Sequence, residues 1–290
     1  MSSAVLCCVL VVLLAAGAAC AAATSPQLGV HPSPVRQGQS LLVTVEPGAA
    51  MPSAGSCRWC GKDYPLYPAG DRLEAFLPVP YSVTPGGHTV AVSLTVEGRV
   101  VGLRRIVNVG RTDFGVQRLR MAKQTRSLYD LPSVKEESRL IGEALALRTP
   151  VQGWGGAFLK PVPGRISTHY GLLRYINGKP EYRHRGVDIA SPRGTPVRAA
   201  QAGTVTLART EFRLHGRTVV LDHGCGVCSI YLHLESIGVQ PGDVVQRGDA
   251  IGRVGSSGAA TGPHLHWGVY VASQPVDPLF WTTWRVKSEG

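Results

Sequence analysis

The chain has 290 residues, a length that suits two modest domains better than one. Charged residues make up 17% against 44% hydrophobic, with 35 glycines and 21 prolines, a balance that favours strands and turns over long helices. The formal charge of +11 favours anionic partners, but no nucleic-acid motif and no lysine–arginine run accompanies it, so nucleic acid is not an expected partner.

Residues 1–23 read as an export signal. Ala4 to Ala23 carries no charge, Val9 to Leu14 is its apolar heart, and small residues follow at Ala18 to Ala23, an Ala-x-Ala type of cleavage site. No Lys or Arg precedes the apolar run. Two rival readings are a lipoprotein modified at Cys20 and an uncleaved membrane anchor. The expected location is outside the cytoplasm, in the periplasm or cell envelope. Besides Cys7, Cys8 and Cys20 in this segment, four cysteines form two close pairs, Cys57/Cys60 and Cys225/Cys228. In an exported chain such pairs suggest local disulfides. Their rivals are a shared four-cysteine zinc site and a redox Cys-x-x-Cys.

Residues 27–110 contain short alternating apolar runs, Ser40 to Val45, His88 to Val96 and Val100 to Val109, divided by turns such as Pro47-Gly48 and Pro85-Gly86-Gly87. This predicts a small β-sandwich of immunoglobulin-like kind. Residues 111–155 change character. Pro132-Ser133 ahead of Glu136-Glu137 looks like a helix start, and Val134 to Leu147 has helical apolar spacing, so a helical connector is expected. From 156 to 285 strands and tight turns return, with a hairpin joining Arg217 to Leu221 and Ser229 to Leu232. A two-residue turn at Gly226-Val227 places Cys225 and Cys228 opposite each other. The predicted architecture is mainly β, with an antiparallel sheet domain at the C-terminal end.

Seven of the nine histidines fall between His169 and His266. His184 and Asp188 stand four apart in an extended segment, and His264 and His266 two apart, so each pair shares one strand face. Imidazole and carboxylate are ordinary zinc ligands. Each pair alone also reads as satisfied polar residues near a turn or a sheet edge. Two histidine-bearing strands in one domain bring the metal reading level with that alternative. The glycine-rich run Gly252 to Gly258 lacks a strand–loop–helix setting and is read as tight turns.

Four motifs then occur in order: His184-Arg185-Gly186-Val187-Asp188-Ile189-Ala190, Gly194-Thr195-Pro196-Val197-Arg198-Ala199, Tyr231-Leu232-His233-Leu234, and Gly258-Ala259-Ala260-Thr261-Gly262-Pro263-His264-Leu265-His266. Over roughly Phe158 to Pro278 the chain resembles the LytM and lysostaphin-type zinc endopeptidases. The resemblance implies one zinc ion per chain, a groove on an antiparallel sheet, and peptidoglycan cross-link peptides as substrate. Carried over by position, His184, Asp188 and His266 match the metal ligands. His264 and His233 match the two catalytic histidines, and which of them is the general base stays open. His223 is expected to be structural, His215 exposed, and His169 structural or at the groove. The function expected is a secreted zinc metalloendopeptidase. Its rival is a catalytically silent protein of the same fold that binds peptidoglycan or activates a wall hydrolase.

Overall fold

Alternating side chains build the first half of the molecule. In the computed structural model, which describes residues 25–48, 50–120 and 127–284, two sheets share one core. The first is antiparallel, in the order Gln27–His31, Ser40–Glu46, Arg72–Pro78, Tyr67–Ala69. The second runs Val35–Arg36, Arg99–Gly110, Gly86–Val96, Ala54–Trp59, Lys62–Pro65. Along Gly86–Val96 the residues Val90, Val92 and Leu94 are buried and Thr89 and Ser93 exposed, the period-2 pattern of a half-covered sheet. Ser40–Glu46 differs. Leu41, Val43 and Val45 face the sandwich core, while Leu42 and its cross-strand partner Phe76 turn outward onto Trp154, Phe158 and Trp281 of the second half. A strand covered on both faces is apolar at consecutive positions, which is why Leu41-Leu42-Val43 breaks the alternation.

The stretch 111–155 is only partly helical. Its helix, Pro132–Ala146, begins with proline in the first turn, where the missing N–H costs nothing. Before it, Val116–Leu119 is a strand that pairs parallel with Leu173–Ile176, and Leu173–Ile176 pairs antiparallel with Lys179–Arg183. The helix buries Val134, Glu137, Ile141, Ala144 and Leu145, a stripe at three- and four-residue spacing.

The C-terminal sheet is antiparallel throughout. Its main path is Arg165–Thr168, Val187–Ala190, His264–Val271, Val227–Ile237, Arg217–Asp222, Gly203–Arg209, Val244–Val245. One face rests on Val219, Leu221, Leu265, Trp267 and Trp281. The other carries Val220, Ile230, Leu232 and Tyr270, which pack against the helix Pro132–Ala146. Among the described residues no helix is long and apolar enough to cross a membrane. The segment 1–23, with Cys20, lies outside the described residues.

The expected disulfides are corrected by the strand registers, because Cys57, Cys60, Cys225 and Cys228 are all free thiols. Trp59 pairs with Lys62, so Cys60-Gly61 is the two-residue turn, and Cys60 sits at its exposed tip with φ +46° while Cys57 points into the core. In the second pair Cys228 faces Asp222 across the ladder, and Cys225 lies in the turn at φ +50°. The hairpin turn is longer than Gly226-Val227, so the two cysteines are not cross-strand partners.

Candidate metal centre and groove

Three neighbouring strands bring the histidine motifs together. Asp188 pairs with His266, and His266 pairs in turn with Leu232, so the first two share the sheet face that the helix covers. Gly186 permits this. A Cβ there would stand 2.4 Å from the Trp267 carbonyl oxygen and 2.8 Å from His266 Nε2, so the segment leading into Asp188 approaches its neighbour too closely for any side chain. His233 reaches the same face by a different device. It lies beside Leu232, and regular alternation would send it to the opposite side. Its φ of +64° and the irregular pairing of its strand around Leu234 turn it back, as a β-bulge does.

His184 Nε2 lies 3.0 Å from His266 Nδ1 and 3.0 Å from Asp188 Oδ1, and His266 Nδ1 lies 2.9 Å from that same oxygen. His184 Nδ1 is 3.0 Å from the His169 carbonyl oxygen. A carbonyl can only accept, so the His184 proton sits on Nδ1 and its Nε2 offers a lone pair. Three electron-pair donors therefore converge on one point, a set that needs a shared proton or a cation between them. Tetrahedral zinc with bonds of about 2.0–2.1 Å spaces its ligand atoms by about 3.3 Å, so the three residues fit that ion after spreading by a few tenths of an ångström. These three could hold a metal ion.

Electrostatics favour a charged Asp188. Burial opposes its charge, but the proton that His184 and His266 share with Oδ1 outweighs that and holds the carboxyl well below the usual carboxylate range. Its second oxygen, Oδ2, accepts from Arg174 Nη2 at 2.8 Å. His266 is pushed down to about 4, chiefly by burial, and so stays neutral, the form in which imidazole ligates.

The remaining two site histidines stand alongside. The His233 and His264 rings are 5.0 Å apart, and His264 Nε2 is 3.9 Å from Asp188 Oδ1. His264 Nδ1 lies 2.8 Å from the Gly262 carbonyl oxygen and His233 Nδ1 2.8 Å from that of Ser257. Both rings thus carry Nδ1–H and present an Nε2 lone pair. Burial, reinforced by His264 and His266, pushes His233 down to about 3. The five residues singled out from the sequence are all in this one cluster.

The site opens into a cavity of about 460 Å³ that its own strands line on one side, through His184, His233 and His266, and the helix Pro132–Ala146 on the other, through Ser138, Ile141, Gly142 and Leu145. Several groove residues carry no motif. His215 is half-buried rather than exposed, lines the cavity, and has Nδ1 2.9 Å from Glu137 Oε2. Glu137 also accepts from the backbone N–H of Arg213, Leu214 and His215. Burial works against this carboxylate, but these donors together hold it below its ordinary value. His169 is structural through its backbone, as the acceptor for His184. His223 is structural too, fully buried with Nδ1 2.7 Å from the Ala202 carbonyl and Nε2 2.8 Å from Ser229 Oγ.

The sheet thus gathers a His–Asp–His cluster and two further histidines beside one groove. Residues 182–278, a third of the chain, match the model of Peptidase family M23, and the chain carries an M23 domain there. It is 38% identical over 130 residues to the DD-carboxypeptidase/endopeptidase Mpg of Neisseria meningitidis, a match covering 44% of this chain and 30% of that protein. It is 42% identical over 96 residues to the peptidoglycan DD-endopeptidase ShyA of Vibrio cholerae, covering 33% of this chain and 22% of that protein. The chain therefore spans less than a third of the length of either relative. A crystal structure of a protein from Pseudomonas aeruginosa, described as a putative peptidase M23, superposes with a TM-score of 0.63 at 28% identity, covering 87% of this chain and 96% of that one.

Proposed function

We propose that the protein is an exported zinc metalloendopeptidase that hydrolyses peptide cross-links of bacterial peptidoglycan. The observation that carries this reading is the convergence of His184 Nε2, Asp188 Oδ1 and His266 Nδ1 to within 3.0 Å of one another beside two more imidazoles and an open groove. The peptidoglycan substrate is taken from ShyA, whose name gives peptidoglycan DD-endopeptidase activity, and Mpg, by its name a DD-carboxypeptidase/endopeptidase, supports the endopeptidase part of the reading. In this reading residues 1–23 are the export signal, 27–110 the sandwich, 111–155 the connector and 156–285 the peptidase domain. The protein works in the periplasm or cell envelope, either released or held through Cys20 or an uncleaved N-terminal segment.

His184, Asp188 and His266 would hold one zinc ion. Bound there, zinc would supply Lewis acidity and lower the pKa of water towards neutrality. His264, with Nδ1–H committed to Gly262, has Nε2 free to take the proton of the attacking water and return it to the departing amine. His233 also presents an Nε2 lone pair beside His264, and its place is to share in that proton transfer. The wall formed by Ile141, Leu145, Ile230 and Leu232 holds the peptide and excludes water.

The test is digestion of purified peptidoglycan by the mature protein, with and without a chelator, followed by mass analysis of the fragments. Cleavage of peptide bonds that stops with chelator and returns with zinc is expected. A protein that binds zinc yet releases no fragment would instead be the silent wall-binding or activating type.

A further inference from the structure

The metal ligand Asp188 uses only one of its oxygens toward His184 and His266. The other is held by Arg174, and Arg174 is itself held in an unusual number of ways. Its Nη2 donates to Asp188 Oδ2 at 2.8 Å, its Nε to Gln117 Oε1 at 2.9 Å, and its Nη1 to the Tyr182 hydroxyl at 3.2 Å. The guanidinium also lies 5.7 Å from the centre of the Tyr182 ring, and the Tyr129 hydroxyl is 3.3 Å from that of Tyr182. Gln117 sits on the strand Val116–Leu119, whose register with Leu173–Ile176 places it directly opposite Arg174. That strand lies more than sixty residues before the start of the family match at residue 182.

From this geometry we infer that Arg174 and Gln117 are positioning residues for the metal site, so that the strand Val116–Leu119 belongs to the metal centre although the peptidase family match begins after it. The inference rests on the reading of His184, Asp188 and His266 as zinc ligands. A carboxylate on a strand can rotate about its terminal bond and offer either oxygen, or both. The guanidinium removes that freedom by taking Oδ2, which leaves Oδ1 aimed at the two imidazoles. A guanidinium alone would swing with its long side chain. Gln117 and Tyr182 fix its plane by occupying two further donors, a rigid fork that lysine cannot reproduce. Partners that fix a ligating carboxylate typically change metal affinity by about 10–100-fold when removed. Arg174 also carries a positive charge that opposes a dication. Arg174→Lys and Gln117→Ala keep that charge and remove only the fork, so these two variants report orientation alone.

The test measures zinc affinity of the full chain by competition with a calibrated chelator, in wild type, Arg174→Gln, Arg174→Lys and Gln117→Ala. Arg174→Gln is expected to bind zinc about 10–100-fold more weakly. Arg174→Lys should stay several-fold weak because one ammonium cannot bridge Asp188, Tyr182 and Gln117 together. Gln117→Ala should shift in the same direction by a smaller factor, and it serves if Arg174→Gln does not fold, since Gln117 is half-buried on a short strand. Saturating zinc should restore the peptidoglycan cleavage of all three variants, which loss of a substrate contact would prevent. Wild-type affinity or tighter in Arg174→Lys and Gln117→Ala overturns the inference, as does cleavage that stays low when zinc is saturating. Failure of the wild type itself to bind zinc overturns the ligand assignment instead, and the two failures are therefore separable.

Discussion

At the scale of single residues, the division between ligand and base makes sharp predictions. His184→Ala and Asp188→Ala each remove one of three converging donors, and elemental analysis should find less than stoichiometric zinc in both. His264→Ala should keep its zinc and lose cleavage by about 100- to 10,000-fold, the usual cost of losing a positioned base. Retention of wild-type cleavage in His264→Ala would show that another group takes the proton. The pairs His184/Asp188 and His264/His266 were legible in the sequence because strand periodicity is local: residues two or four apart share a face whatever surrounds them. Arg174 was not legible. Its partners Gln117 and Asp188 are 57 and 14 residues away, and no period in the sequence links them. His233 stood out only through its motif, since plain alternation beside Leu232 would send it to the wrong face.

At the scale of elements, one carboxylate ties the helix Pro132–Ala146 to the loop that borders the groove. Glu137 occupies a position in the helix's apolar stripe, and the sequence reads it as part of a helix start. Its function in the fold is to satisfy three consecutive backbone N–H groups and His215. Glu137→Leu keeps the side chain's bulk and leaves those donors without a partner. It should cost at least about 2 kcal/mol in chemical denaturation, since each buried unsatisfied donor costs about 1–3 kcal/mol. A loss below about 0.5 kcal/mol would mean water replaces the carboxylate. The hairpin carrying His223 gives a pH prediction. Burial pushes His223 down to about 4 in the folded protein, against about 6.5 when unfolded. The unfolded chain therefore binds the extra proton between these values, and stability falls as pH drops from about 6.5 to about 4, by up to about 3 kcal/mol from this group. His223→Asn preserves a donor for the Ala202 carbonyl and removes the titration. Its stability should vary less with pH across that window than wild type, and an unchanged slope would refute the assignment. The disulfides were misread at this same scale. Cysteines three apart look like partners on paper, but one register places Asp222 opposite Cys228 and the other puts Cys60 at the tip of a turn.

At the scale of the whole molecule, the sandwich and the peptidase sheet meet through aromatic rings. Phe76 lies with its ring centre 5.6 Å from that of Trp154, 6.0 Å from Trp281 and 6.1 Å from Trp284. Phe76→Ala should lower stability by about 3 kcal/mol or more, the usual cost of a large-to-small change in a packed core. Calorimetry should then separate the melting of the two halves into distinct transitions, and a single unshifted transition would contradict the interface. The alternating runs of the sequence foretold two sheets sharing a core. They did not foretell this seam, because Leu42 and Phe76 are outward-facing residues whose burial depends on a second body of the protein.

The two-sided strand Ser40–Glu46 also bears on the order in which the chain is made. Synthesis runs from the N-terminal end, so the sandwich leaves the ribosome complete before Trp154 and Trp281 exist. A sandwich folded without its second half would carry Leu42 and Phe76 as a bare apolar stripe, the kind of surface that aggregates when left uncovered. The first half thus depends for its finished surface on side chains that lie at least 78 residues further along the chain, from Phe76 to Trp154.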